Sequence, residues 1–350
     1  MSPTDRSGYF YDGNPVKAPE APVDLPPPLV DDLKDPLGYI AGDDLVDAVH
    51  VAITLGQPLL LTGEPGTGKT RLAYALAAAL GLEPVLECFV KSTTAAGDLF
   101  YTFDEVGRFR DAQDVDARGA PLTRYIAYNG LGKAILFAGG PDAKLDLLPG
   151  GRRDKSTPTR FVDLLPREQF PARERQRSVV LVDEIDKAPR DVPNDMLNEI
   201  DDMAFDVTEL GVRVKAPRDH RPIVIMTSNS EKNLPDAFLR RCAFFDIPFP
   251  DDDTLRKIID HRIQALRGGG PLLDDALALF ARLRAREAAL RKRPGTAELL
   301  GWLLLLVRDA GLGASDRLPP GGDVTLRYLS ALVKTREDLA RARDLARGRA

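Results

Sequence analysis

Five short apolar runs punctuate the first 250 residues of the chain. They lie at 58–62 (PLLLT), 84–90 (PVLECFV), 178–182 (SVVLV), 223–227 (IVIMT) and near 243–248 (AFFDIP). The cores VVLV and IVIM are apolar throughout rather than alternating, as in strands covered on both faces. Helical stretches separate the runs, such as the RLAYALAAAL that follows the first of them. The pattern therefore predicts βαβ units and a parallel sheet between about 35 and 250.

Two segments interrupt this plan. DLFYTFDEVGRFRD (98–111) alternates around Asp104–Gly107, and MAFDVTELGVRVKA (203–216) turns at Glu209–Gly211, so both are expected to form hairpins. Beyond 250 the pattern becomes helical. PDDDTLRKIIDHRIQAL places acids at a helix start, where the helix dipole favours them, and further helices follow to Arg347. ELLGWLLLLV (298–307) is about half a membrane span and is expected to be a buried helix, not an insertion into a membrane. Prolines at 3, 15, 19, 22 and 26–28 give the first residues the character of an extended arm. The expected division is a proline-rich arm (1–34), an α/β domain (35–250) and an α-helical domain (251–350).

Composition narrows the classes. The 350 residues carry a net charge of −5, which gives no global reason to expect nucleic-acid binding. Cys88 and Cys242 lie far apart in the sequence, and His50, His220 and His261 show no metal spacing. The opening MSPTDRSGYFYDG has neither the basic nor the apolar region of a signal peptide, so the expected compartment is the cytoplasm.

The strongest chemical signal is the run Gly63-Glu64-Pro65-Gly66-Thr67-Gly68-Lys69-Thr70, continuing into Arg71, between the first strand and its helix. This is the GxxxxGK[ST] phosphate loop in its expected context. Glycines let the backbone wrap its N–H groups around phosphates, and the helix N-terminus favours negative charge. Lys69 is expected to reach the β- and γ-phosphates of ATP, and Thr70 to bind Mg²⁺ through its hydroxyl.

A second signal separates hydrolysis from transfer. VVLVDEIDKAP ends a buried run with Asp183 and Glu184. Asp183, at the carboxyl end of a strand, is expected to hold the metal with Thr70, and Glu184 to orient and polarise the attacking water. Phosphoryl transfer to a bound acceptor has no need of a second acid for water, so the pair favours an ATPase. Asn229, just past the 223–227 run, can donate a hydrogen bond to that water or to the γ-phosphate. Arg240 and Arg241 follow. One of them, supplied from a neighbouring subunit, would meet the charge that develops on the phosphoryl group.

These motifs resemble those of the AAA+ ATPases and, within them, the MoxR-like group. The resemblance covers roughly residues 35–305. It rests on GEPGTGKT (63–70), LVDEIDKA (181–188), MTSNS (226–230) and LPDAFLRRC (234–242). It implies a P-loop αβα sandwich with a parallel sheet, two inserted hairpins and a helical lid. The hairpins stand where that group carries its helix-2 insert and its pre-sensor-1 hairpin. Asn229 falls on sensor 1. Arg241 falls on the arginine finger acting in trans, with Arg240 the second choice. Ile40 and Ala41 resemble the segment that flanks the adenine. The chain departs from the pattern in RPGTAELLGWL, where Glu298 stands in place of a sensor-2 arginine. Either Arg291 or Arg293 replaces that cation, or the lid senses nucleotide in another way.

The resemblance also implies a homo-oligomeric ring of six. MoxR-like relatives often act with von Willebrand factor A-domain proteins, helping to insert cofactors or mature complexes. The leading reading is an ATP-driven remodelling or assembly factor for a protein client. Two alternatives stay open at this point: a nucleic-acid motor, and a regulatory switch that binds ATP and turns over slowly.

Overall fold

The computed structural model describes residues 25, 27–33, 35–114, 119–150, 157–172, 174–229 and 234–348. The chain groups into two compact units, 1–35 and 36–350. Most of the expected proline-rich arm lies outside the described residues; within the first unit Leu29–Leu33 forms a 3₁₀ turn.

The second unit begins with helix α1 (Asp43–Leu55), strand β1 (Leu59–Thr62), α2 (Lys69–Leu80) and β2 (Leu86–Phe89). The first insertion follows as β3 (Tyr101–Phe103), α3 (Glu105–Gln113) and β4 (Ile126–Tyr128). Next come α4 (Gly130–Gly139), β5 (Asp146–Leu147), β6 (Val179–Asp183), α5 (Val192–Asp195) and α6 (Leu197–Asp202). Strands β7 (Ala204–Val207), β8 (Val212–Lys215) and β9 (Ile223–Thr227), helix α7 (Asp236–Leu239) and β10 (Ala243–Asp246) complete the α/β part. The C-terminal helices are α8 (Asp252–Arg262), α9 (Pro271–Arg284), α10 (Thr296–Leu304), α11 (Asp323–Arg327), α12 (Leu329–Leu332) and α13 (Arg336–Ala346).

The five apolar runs form one sheet in the spatial order β10-β1-β9-β6-β2, and every pairing in it is parallel. Period-2 geometry explains why the runs are apolar throughout. Leu60, Val180, Val182, Val224 and Met226 face a core that includes Leu131, Ile135 and Leu136 of α4. Their neighbours Leu59, Leu61, Val179, Leu181, Ile223 and Ile225 face a second core with Leu45 and Ala52 of α1 and Leu72, Ala73 and Ala77 of α2. Two covered faces make the αβα sandwich that the resemblance implies. All five strands point the same way, so their carboxyl ends gather at one edge, where ligands of open α/β sheets bind.

The hairpin at 203–216 forms: β7 and β8 pair antiparallel from Ala204↔Lys215 to Val207↔Val212. The short β5 extends it through Asp146↔Arg213. The hairpin expected at 98–111 does not form, because the stretch read as its turn caps a helix. The Asp104 carboxylate accepts the Gly107 N–H at 2.8 Å, and Glu105 adds an acid to the first turn of α3. Strand β3 instead pairs with β4, from Tyr101↔Tyr128 to Phe103↔Ile126, with α3 between the two. The insertion packs on the hairpin through aromatic rings. Phe100, Tyr101 and Tyr128 lie 5.3, 6.0 and 6.3 Å from Phe205, whereas Phe109 on α3 is exposed.

The 298–307 run is buried as expected. Leu299, Trp302 and Leu303 of α10 line the interior of the C-terminal helices, and the helix continues as a π turn over Leu305–Asp309. In α4, a Cβ at Gly132 would overlap the carbonyl oxygen of Phe100. Backbone cannot rotate away as a side chain can. Gly132→Ala is therefore expected to destabilise the protein by about 1–3 kcal/mol, read as a lowered midpoint in thermal unfolding followed by circular dichroism.

Candidate active site

The phosphate loop leaves β1 at the carboxyl edge of the sheet and enters α2. Its glycines occupy the left-handed half of backbone space, with φ +133 at Gly63, +83 at Gly66 and +93 at Gly68. Side chains are strained there, and space is short as well. A Cβ on Gly63 would stand 2.5 Å from the Ile247 carbonyl oxygen, and one on Gly66 3.2 Å from the Gly295 Cα. This is the concave backbone that phosphate needs. Thr67 is buried and its hydroxyl donates to the Glu64 carbonyl at 2.9 Å, closing the loop on itself. Pro65 is exposed at its tip, and Arg71 sits half-buried in the first turn of α2.

Lys69, the first residue of α2, is 8% exposed. Its ammonium donates to the carbonyls of Gly63 at 2.8 Å and Glu64 at 3.1 Å, so the loop itself holds it. Burial lowers its pKa, while the carboxylates of Asp186, Asp183, Asp246 and Glu184 pull the other way. One ammonium thus stands among four acids at the strand ends. Asp246 closes the far side, accepting the Thr62 hydroxyl at 2.6 Å.

Two hydroxyls converge on Asp183. Its Oδ1 accepts from Thr70 at 2.9 Å and from Thr227 at 2.6 Å. Thr227 also accepts the Glu184 N–H at 2.9 Å, so one buried hydroxyl ties β9 to both acids at the end of β6. Glu184 sits at φ +57, ψ +50, in the left-handed region. For a non-glycine residue this costs about 1–3 kcal/mol and persists only where the surroundings impose it. Here the Glu184 N–H is held by the Thr227 hydroxyl. The Glu184 carboxylate pairs with Lys187, and 40% of the side chain stays open to solvent.

A divalent cation fits this donor set. The Thr70 hydroxyl and the Asp183 carboxylate are hard oxygens 2.9 Å apart. Mg²⁺ takes only one or two protein oxygens beside phosphate and water. Among the described residues, no cluster of three or more His, Cys, Asp or Glu could hold a metal by itself.

The remaining residues named from sequence lie as follows. Asn229 is exposed two positions beyond Thr227, and its backbone N–H reaches the Asp186 carboxylate at 3.4 Å. Ile40 and Ala41 are half-buried just before α1. Their neighbour Tyr39 has its ring edge 3.1 Å from where a Gly68 Cβ would be, and burial pushes its hydroxyl pKa up to about 12. Arg241 pairs with Asp201 of α6 at 3.0 Å, with 43% of its side chain exposed, and Arg240 is exposed beside it.

Residues 58–242 match the AAA domain of the dynein-related subfamily. The chain belongs to this family. Two solved structures of RuvB variants from Thermotoga maritima are also similar. One is 16% identical with a TM-score of 0.42, covering 85% of this chain and 69% of its own. The other is 18% identical with a TM-score of 0.41, covering 86% of this chain and 72% of its own. No curated protein matches the chain significantly.

Two side chains that sequence reasoning passed over stand at the site. Thr227 was hidden inside the MTSNS run, where attention goes to the asparagine; a hydroxyl ending an apolar strand was its one signal. Arg284, at the end of α9, donates to the Glu64 carboxylate at 2.7 Å. Nothing local in LRAREAAL marks it. Glu298 accepts the Gly295 N–H at 3.1 Å at the start of α10, and the same carboxylate oxygen lies against the loop, 3.6 Å from where a Gly66 Cβ would be. Arg291 turns the other way: its N–H donates to buried Asp338 at 2.8 Å and its guanidinium pairs with Glu337 at 3.4 Å. Arg293 is exposed.

Proposed function

We propose that this AAA-family protein is a Mg²⁺-dependent ATPase of the MoxR-like kind. In this reading it works in the cytoplasm as a ring of six and remodels or assembles a protein client, with a von Willebrand factor A-domain partner. The carrying observation is the clasp of Thr70, Asp183 and Thr227, with Glu184 bent out just beyond it. It supplies an oxygen pair for the metal from Thr70 and Asp183, and an acid for water in Glu184, the residue after Asp183. Thr70 and Asp183 would hold Mg²⁺, which when bound would offset the negative charge of the phosphates.

The chain's own groups have distinct tasks. The N–H groups of Gly66–Thr70 bind phosphate oxygens, and Lys69 exchanges its two loop carbonyls for the β- and γ-phosphates. Glu184 accepts a proton from the attacking water, and Asn229 orients that water. Tyr39, Ile40 and Ala41 border the base. The helices from α8 onward act as a lid, and Arg241 serves the phosphate bound by a neighbouring copy. Among the described residues no helix is long and apolar enough to cross a membrane.

The test is binding of a fluorescent ATP analogue with Mg²⁺, together with phosphate release. The protein is expected to bind and hydrolyse ATP. Lys69→Ala is expected to weaken binding by about 100-fold or more, since it removes a charge-assisted contact from a buried position. Equal affinity of the wild type and Lys69→Ala would remove the basis of the reading.

A further inference from the structure

Arg284, at the end of α9, joins the C-terminal helices to the phosphate loop by an ion pair. Arg284 donates one terminal nitrogen to the Glu64 carboxylate at 2.7 Å and the other to the Pro294 carbonyl at 2.7 Å. Its guanidinium carbon lies 3.3 Å from the centre of the Phe249 ring. Only 14% of its side chain is exposed, against 48% for Glu64. Two directed bonds and a stacked ring make this a cation fixed in place, unlike a surface arginine free to choose partners.

Its partner is equally placed. Glu64 is the loop residue whose backbone carbonyl accepts the Lys69 ammonium at 3.1 Å and the Thr67 hydroxyl at 2.9 Å. The residue that Arg284 grips by its side chain therefore holds Lys69 by its main chain. The start of α10 lies on the same loop, since a Cβ on Gly66 would stand 3.2 Å from the Gly295 Cα. Arg284, Glu64 and Lys69 form one chain of contacts from the C-terminal helices to the group that binds phosphate.

We propose that Arg284 is a positioning residue that slows nucleotide release by latching the C-terminal helices to the phosphate loop through Glu64. The proposal rests on the nucleotide reading above. With phosphate bound, Lys69 gives up the Glu64 carbonyl, and the Thr67 hydroxyl and the ion pair to Arg284 are what still hold Glu64. The ligand leaves when the helices lift from the loop, and lifting them breaks this pair. The latch acts through Glu64, so the arginine need not touch the nucleotide.

The experiment is the release of a fluorescent ADP analogue, chased with unlabelled ADP, from the full chain with Mg²⁺. It compares wild type, Glu64→Gln, Arg284→Gln, Arg284→Lys and the double variant Glu64→Gln/Arg284→Gln. Each glutamine variant is expected to release the analogue about 5-fold faster or more. The double variant should be no faster than the faster single one, because both remove the same contact. Arg284→Lys, which keeps a charge opposite Glu64, should stay nearer the wild type. A purely supporting role for Arg284 under the lid would leave Glu64→Gln at the wild-type rate, and that result overturns the latch even if Arg284→Gln fails to fold. Singles whose effects multiply in the double overturn it too. A wild type that binds no analogue defeats the nucleotide reading and the latch with it, whereas binding with unchanged release in Glu64→Gln defeats the latch alone.

Discussion

Glu184→Gln is expected to lower ATP turnover by roughly 10²- to 10⁴-fold while leaving ATP bound. The substitution keeps the size and shape of the side chain and removes its capacity to accept a proton from water. The backbone contact that shapes the site survives, because Thr227 holds residue 184 through its N–H and not through the carboxylate. Thr70 and Thr227 still meet on Asp183, so the oxygen pair proposed to hold the metal is untouched. The pair with Lys187 is lost as an ion pair, but both partners are largely solvated and little stability goes with it. Phosphate release and binding of a fluorescent ATP analogue check the two halves of the expectation. Turnover close to the wild type would mean that another group activates the water, and a loss of binding would mean that the substitution disturbs the loop.

Arg241→Ala is expected to lower turnover by about 10³-fold or more, the scale associated with an arginine finger, again with ATP still bound. Within one chain the guanidinium is held by Asp201 at 3.0 Å and remains 43% exposed. An arginine tethered by a half-exposed acid can be pre-oriented toward a neighbour, or it can simply pair at the surface. The two differ in magnitude. An exposed pair is worth about 0–1 kcal/mol and its removal leaves catalysis alone. Loss of a finger removes charge stabilisation from the transition state. Turnover measured across protein concentration separates them further, because a contribution in trans requires assembly. Wild-type turnover in Arg241→Ala would return Arg241 to a surface pair and direct attention to exposed Arg240.

Legibility differed by the range over which each feature is decided. The phosphate loop could be read directly, since its glycines, lysine and threonine are consecutive and the strand and helix around them announce their periods. The acids after β6 were equally plain, as was the hairpin of β7 and β8. The insertion at 98–111 was misread because Asp-x-x-Gly serves either a turn or a helix cap. Only the pairing of β3 with β4 beyond α3 shows which. The role of Thr227 escaped because its value lies in the register of two strands. Val182 pairs with Met226, so the next residues, Asp183 and Thr227, come together at the strand ends.

The sequence by itself determined the βαβ alternation, the strands buried on both faces, the phosphate loop and the acids that follow β6. Each is written in neighbouring residues, where backbone period and local chemistry act within one element. The tertiary structure alone decided which hydroxyls reach Asp183, that Asp201 holds Arg241, and that the C-terminal helices reach the loop through Arg284. That last contact joins residues 220 positions apart. Such pairings depend on strand register and on the packing of helices that no local pattern specifies, and a single arginine among several becomes a partner of the loop only when the fold brings it to Glu64.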